Sequence, residues 1–120
     1  MNVLVVDDEA PIRKLLPMML PAADKVLSVP SVDEAIQEIE AGGYDLIITD
    51  YKMPGLNGLD LLYFLQERQH QIPVILITGQ GGRDPSLEEA RQMVWRILPK
   101  PFSHEQLQAA VAELFPAQAM

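Results

Sequence analysis

The sequence predicts an α/β fold: five parallel strands in a doubly wound sheet, with five helices. Three observations predict it. Short apolar runs and amphipathic stretches alternate five times along the chain, a pattern that means parallel strands joined by crossover helices on both faces. The strongest runs, around residues 2–6, 46–48 and 73–78, are continuously apolar, as strands buried on both faces must be. Turn and cap residues punctuate the segments between them.

The elements follow in order. Asn2–Val6 is a valine-rich strand that stops abruptly at Asp7-Asp8-Glu9. Pro11 suits the first turn of a helix, and Ile12, Leu15, Leu16, Met19 and Leu20 recur at helical spacing. Pro17 sits inside that pattern and should kink or end the helix, at a cost of ~3 kcal/mol if it is interior. Lys25–Val29 is a weak strand. Ser31 caps the second helix, Glu34 makes a capping box with it, Ala35, Ile36 and Ile39 face inward, and Gly42-Gly43 closes it. Leu46, Ile47 and Ile48 form the central strand, which ends in Asp50. Asn57 caps the third helix, along which Leu59, Leu62, Tyr63 and Leu65 recur. Residues 73–78 form the fourth strand and end in the Thr78 hydroxyl. A flexible Gly79-Gln80-Gly81-Gly82 loop follows. Residues 85–93 read as a helix, and residues 95–98 as a short last strand broken by Pro99-Lys100-Pro101. Ser103 and Gln106 form a capping box on the final helix, which buries Leu107, Ala110, Val111 and Leu114.

Composition bounds what such a domain does. The 120 residues suit a single domain, 1–120. A formal net charge of −8 argues against direct nucleic-acid contact by this segment and suits a cation site. The absence of cysteine excludes disulfides, thiolate catalysis and Cys-ligated metals. His70 and His104 lie in polar surroundings and read as surface residues. No apolar run approaches the ~20 residues of a membrane span, and the first residues lack the pattern of a signal peptide, so a cytoplasmic location is expected.

Four strand ends carry polar groups, and the strand–helix order puts all of them at the carboxyl edge of the sheet, where ligands bind in open α/β folds. They are Asp7-Asp8, Asp50, Thr78 and Lys100. Three carboxylates brought together repel one another, and each resists ionisation. A hard divalent cation such as Mg²⁺ relieves that conflict with oxygen ligands. Lys100 adds a positive charge and Thr78 a hydroxyl. The set suits a phosphoryl group, whose transfer needs positioning and charge neutralisation. A carboxylate can itself be the nucleophile, and Asp50 is assigned that role.

Val5-Val6-Asp7-Asp8-Glu9, Asp50-Tyr51-Lys52-Met53-Pro54-Gly55-Leu56-Asn57-Gly58, Ile77-Thr78-Gly79 and Lys100-Pro101-Phe102 together resemble the receiver domain of two-component response regulators, the chemotaxis receivers included. The likeness covers essentially the whole chain. It implies a flavodoxin-like sheet of strand order 2-1-3-4-5. It implies that Asp50 accepts phosphate from a sensor histidine kinase or phosphotransfer protein. Asp8, Asp50 and the Lys52 backbone carbonyl would bind Mg²⁺ directly, with Asp7 acting through water. Thr78 and Lys100 would close on the phosphoryl group, and the Lys100–Pro101 peptide would be cis. Lys52 and Gln80 would flank the phosphoryl group. The resemblance implies a signalling domain whose only chemistry is its own phosphorylation and dephosphorylation, coupled to an output domain or effector. A homodimer is left open.

The chain departs from the family at three places. Ile97 stands where the family's switch aromatic belongs, and Met93-Val94 replaces a common Gly-Ala pair. Pro17 is unusual in a helix that faces histidine-containing partners; it either tunes kinase choice or is a tolerated kink. Trp95 either anchors a partner or covers the core edge. Ile97 motivates an alternative function, a protein-binding receiver that works without phosphorylation because its switch is eroded. A haloacid-dehalogenase-type phosphatase carries a second aspartate two residues after the nucleophile, and position 52 is Lys. A flavin phosphate would be repelled by Asp7-Asp8-Glu9.

Overall fold

The structure, a computed structural model, describes residues 1–21, 23–79 and 85–115, with the backbone alone at Ser86. Five strands alternate with five helices: β1 (Asn2–Val6), α1 (Ala10–Met18), β2 (Lys25–Val29), α2 (Val32–Ala41), β3 (Leu46–Asp50), α3 (Gly58–Glu67), β4 (Val74–Thr78), α4 (Pro85–Arg91), β5 (Arg96–Pro99) and α5 (His104–Leu114). All neighbouring strands are parallel, in the order β2-β1-β3-β4-β5. The flavodoxin-like order expected from the resemblance is the one observed.

Alternation along the strands splits the core into two layers. Leu4, Val6, Ile47, Val74 and Leu76 face α2, α3 and α4, which contribute Val32, Ala35, Ile39, Leu61, Leu62, Leu65, Leu87 and Ala90. Val3, Val5, Leu46, Ile48, Ile75 and Ile77 face α1 and α5, which contribute Leu16, Met19, Leu20, Leu107, Ala110 and Val111. Every residue of β3 and β4 is buried, which is why those segments read as unbroken apolar runs.

The helix ends largely follow the caps. Asn57 and Ser103 each form a full capping box, with Asp60 and Gln106. Ser31 accepts the Glu34 N–H at 3.2 Å. Glu34, however, takes the Ser31 hydroxyl at 3.4 Å instead of its backbone N–H, so only half of that expected box forms. Gly42 and Gly43 both adopt positive φ, where a side chain is strained.

Several boundaries and faces differ from expectation. Pro17 lies inside α1, one residue before its end; the helix runs through it and stops at the next turn. Leu15 is 47% exposed and belongs to the outer face of α1, not its inner stripe. In α3 Leu61, which is not among the recurring residues, is buried, while Tyr63 is exposed and Leu59 half-buried. The helix is apolar around most of its girth, and spacing alone did not select its inner face. α4 ends at Arg91 rather than residue 93, and Met93 turns back to the Ala90 carbonyl at 2.9 Å. β5 starts one residue late, although the Trp95 N–H already bonds the Val74 carbonyl at 2.9 Å. Leu114 is half-buried, and so is His70, which lies 4.0 Å from Glu40; His104 is exposed. The loop expected at residues 79–82 lies, beyond Gly79, outside the described residues. Among the described residues no helix is long and apolar enough to cross a membrane.

Candidate functional site

The parallel register carries β1, β3 and β4 to a common edge. Val6 pairs with Thr49 and Asp50 with Ile77, so the residues just beyond β1 and at the tips of β3 and β4 become neighbours. Carboxylate oxygens of Asp7, Asp8 and Asp50 lie within 4.8 Å of one another. Asp7 is 1% exposed and Asp50 5%, while Asp8 faces solvent. Lys100 Nζ donates to Asp50 Oδ2 at 3.2 Å, in a partly buried ion pair. Thr78 is buried at the tip of β4, and its carbonyl accepts the Lys100 N–H at 2.7 Å. That bond ties the end of β5 to β4, and the Lys100–Pro101 peptide is cis. Lys52 is exposed in the turn after β3. Gln80, expected beside the site, lies outside the described residues.

Asp50 is fixed by its surroundings. The Tyr51 N–H bonds the Ile77 carbonyl at 2.8 Å, and the Tyr51 carbonyl accepts the Gly58 N–H at 2.8 Å. Thr49 Oγ1 donates to the Asp50 carbonyl at 3.0 Å. A Cβ on Gly58 would stand 2.8 Å from that same carbonyl oxygen, so α3 begins against the strand tip only because residue 58 is glycine. Sequence reasoning missed Gly58 in this role. It also missed Arg13, whose Nη1 donates to the Asp7 carbonyl at 2.7 Å. The signal for Arg13 was faint: a basic residue one turn into the helix that follows the acidic run.

The electrostatics are those of an unsatisfied anionic nest. Burial pushes Asp7 up to about 6; the Glu9 N–H opposes this, and the Asp50 charge adds to it. Burial also raises Asp50, against the Lys100 hydrogen bond and charge. Burial pulls Lys100 down, but its bond to Asp50 and the charges of Asp50, Asp7 and Glu9 outweigh this and raise it overall. Asp7 Oδ1 accepts the Glu9 N–H at 2.8 Å, whereas Asp7 Oδ2 is buried with no hydrogen-bond partner. An orphaned carboxylate oxygen among three convergent carboxylates fits a hard divalent cation. A carboxylate at a strand tip beside an ammonium is also placed to act on a phosphoryl group.

At the departures, Ile97 is half-buried and packs with Met93 and Val94 against the core layer under α2, α3 and α4. Trp95 is 39% exposed, with the Arg96 guanidinium 5.0 Å above its ring.

Known proteins resemble this chain. The family model described as the response regulator receiver domain matches residues 3–112. The chemotaxis protein CheY of Pseudomonas aeruginosa is 29% identical over 119 residues, 96% of each chain. The two-component response regulator PhoP of the same organism is 31% identical over 115 residues, 95% of this chain; the match spans only 51% of PhoP. A response regulator receiver domain protein of solved structure from Clostridium thermocellum superposes with a TM-score of 0.83 at 28% identity, over 98% of this chain and 95% of that one. With the match running from the first strand into the last helix, the chain belongs to the response regulator receiver domain family of two-component systems.

Proposed function

We propose that residues 1–120 act as one phosphorylation-driven receiver domain, in which Asp50 accepts a phosphoryl group from the phosphohistidine of a sensor histidine kinase or phosphotransfer protein. The observation that carries this reading is the placement of Asp50: buried at the tip of β3, 3.2 Å from the Lys100 ammonium and within 4.8 Å of the Asp7 and Asp8 carboxylates. An Asp50 oxygen bonds to phosphorus as the phosphorus–nitrogen bond of the donor breaks and its electron pair returns to the imidazole. Asp8, Asp50 and the Lys52 carbonyl would hold Mg²⁺, with Asp7 acting through water; bound there, the ion neutralises charge on the phosphoryl oxygens. Lys100 favours the ionised, nucleophilic form of Asp50 and then pairs with a phosphoryl oxygen. Thr78 offers its hydroxyl to another. Attack of water on the aspartyl phosphate resets the site.

In this reading the added charge draws Thr78 and Lys100 inward and shifts the population of the α4–β5 side, where an output domain or effector reads it. The alternative, a receiver that binds partners without phosphorylation, draws on Ile97, because an aliphatic side chain there offers no aromatic rotamer to couple to Thr78.

The test is incubation with acetyl phosphate and Mg²⁺, followed by intact-protein mass spectrometry. The wild type is expected to gain one phosphoryl group, and Asp50→Asn to gain none while keeping its circular dichroism spectrum. An Asp50→Asn protein that is still labelled overturns the assignment. A labelled wild type whose partner affinity does not change favours the alternative.

A further inference from the structure

Asp7 is held at almost every polar atom. Its N–H donates to the Val29 carbonyl at 3.1 Å, its Oδ1 accepts the Glu9 N–H, and its carbonyl accepts Arg13 Nη1 at 2.7 Å. That carbonyl belongs to the peptide linking Asp7 to Asp8. Because the peptide is a rigid plane, a bond to its oxygen fixes the direction from which the Asp8 side chain sets out.

Arg13 is itself anchored, and the anchor explains Pro17. A proline at position 17 cannot donate to the carbonyl of residue 13, four residues back. Ser28 Oγ, from β2, donates to that carbonyl at 3.2 Å instead. The missing helix bond is thus answered by a tie between α1 and the sheet at the residue whose side chain holds the acidic turn.

We propose that Arg13 is a positioning residue for the carboxylate cluster: by holding the Asp7 carbonyl it fixes the Asp7–Asp8 peptide and sets the cluster's affinity for a divalent cation. The inference rests on the reading of that cluster as a Mg²⁺ site. It differs from a charge effect in sign. Removing a nearby positive charge strengthens attraction for a cation, whereas releasing the peptide weakens binding because the ligands are no longer preorganised.

The experiment is calorimetric titration of Mg²⁺ into wild type, Arg13→Met, which keeps the aliphatic stem, and Arg13→Lys, which restores a donor. Circular dichroism melting is measured alongside. Arg13→Met is expected to bind about tenfold more weakly, the order found for groups that orient metal ligands, with Arg13→Lys between it and wild type. Arg13→Met binding at wild-type affinity or tighter overturns the inference. If Arg13→Met does not fold, Arg13→Gln, too short to keep the bond, supplies the same comparison. A wild type that binds no Mg²⁺ overturns the underlying reading of the cluster, so the two failures are distinguishable.

Discussion

The tips of β1, β3 and β4 and the α4–β5 side of the sheet are built from different materials. The tips stand on strands that are buried almost throughout, and backbone hydrogen bonds lock Asp50 and Asp7 in place. The other side is thin. α4 has seven residues, of which Leu87 and Ala90 are buried, and β5 exposes Arg96 and Pro99. Beyond the backbone pairing of β5 with β4, its side-chain ties among the described residues are surface pairs, Tyr63 to Glu89 and Arg96 to Glu113. Regions with few buried apolar contacts rearrange at low cost. The molecule therefore holds its carboxylates where they are least comfortable, and leaves loosely tied the side on which the proposed switch would be read.

The sharpest test of that contrast is the cost of the acidic tips. A carboxyl with a folded-state pKa above its unfolded value destabilises the fold once it ionises. Asp7 rises from 3.8 to about 6. The penalty is absent below the unfolded value, grows between the two, and is complete above the folded one. A gap of that size corresponds to about 3 kcal/mol at most, and the raised Asp50 acts in the same sense. Without divalent cations, urea unfolding is expected to show stability falling between about pH 4 and about pH 6. Asp7→Asn should flatten the decline and be the more stable protein at the upper end. A wild type equally or more stable at the upper end would mean that the tips carry no such cost, and the contrast would fail.

Gly58→Ala asks whether the tips are as rigid as they look. The new methyl group would meet the Asp50 carbonyl at 2.8 Å and the Tyr51 Cα and Leu76 Cδ1 at 3.0 Å. Two of those atoms are backbone, so the start of α3 or the end of β3 must shift. Overpacking of this kind costs about 1–3 kcal/mol. The variant should lose that much in denaturant unfolding and take up phosphate from acetyl phosphate more slowly. Unchanged stability would show that the junction yields.

The sequence made the buried parts of this architecture legible because burial leaves a pattern. Strands covered on both faces must be apolar throughout, and the caps at Asn57 and Ser103 use residue types with few other reasons to be there. Since strand tips share one edge in any such sheet, Asp7, Asp8, Asp50, Thr78 and Lys100 could be grouped before their distances were known. What escaped was set by contacts that periodicity does not encode. Leu15 has the spacing of an inner residue, yet it is 47% exposed. Leu61 and Tyr63 lie on nearly opposite faces of a helix that is apolar nearly all round. The bonds from Ser28 to the Arg13 carbonyl and from Arg13 to the Asp7 carbonyl are single side-chain-to-backbone contacts with no repeating signature. Pro17 looked like a defect because the residue that compensates for it belongs to the next strand.

The smallest effect is expected on the loosely tied side. Arg96 and Glu113 are each about half exposed and pair across β5 and α5; the same guanidinium lies over Trp95. An exposed pair gains little Coulomb energy in water, loses side-chain entropy and is screened by salt, which limits it to below about 1 kcal/mol. Arg96→Gln should therefore hardly move the urea midpoint, while Trp95 fluorescence changes because its stacking partner is gone. A loss comparable to that of Gly58→Ala would show this side to be as tightly built as the strand tips. A near-neutral result would make Arg96 a position at which the surface can be altered, and partner binding measured, without disturbing the carboxylates.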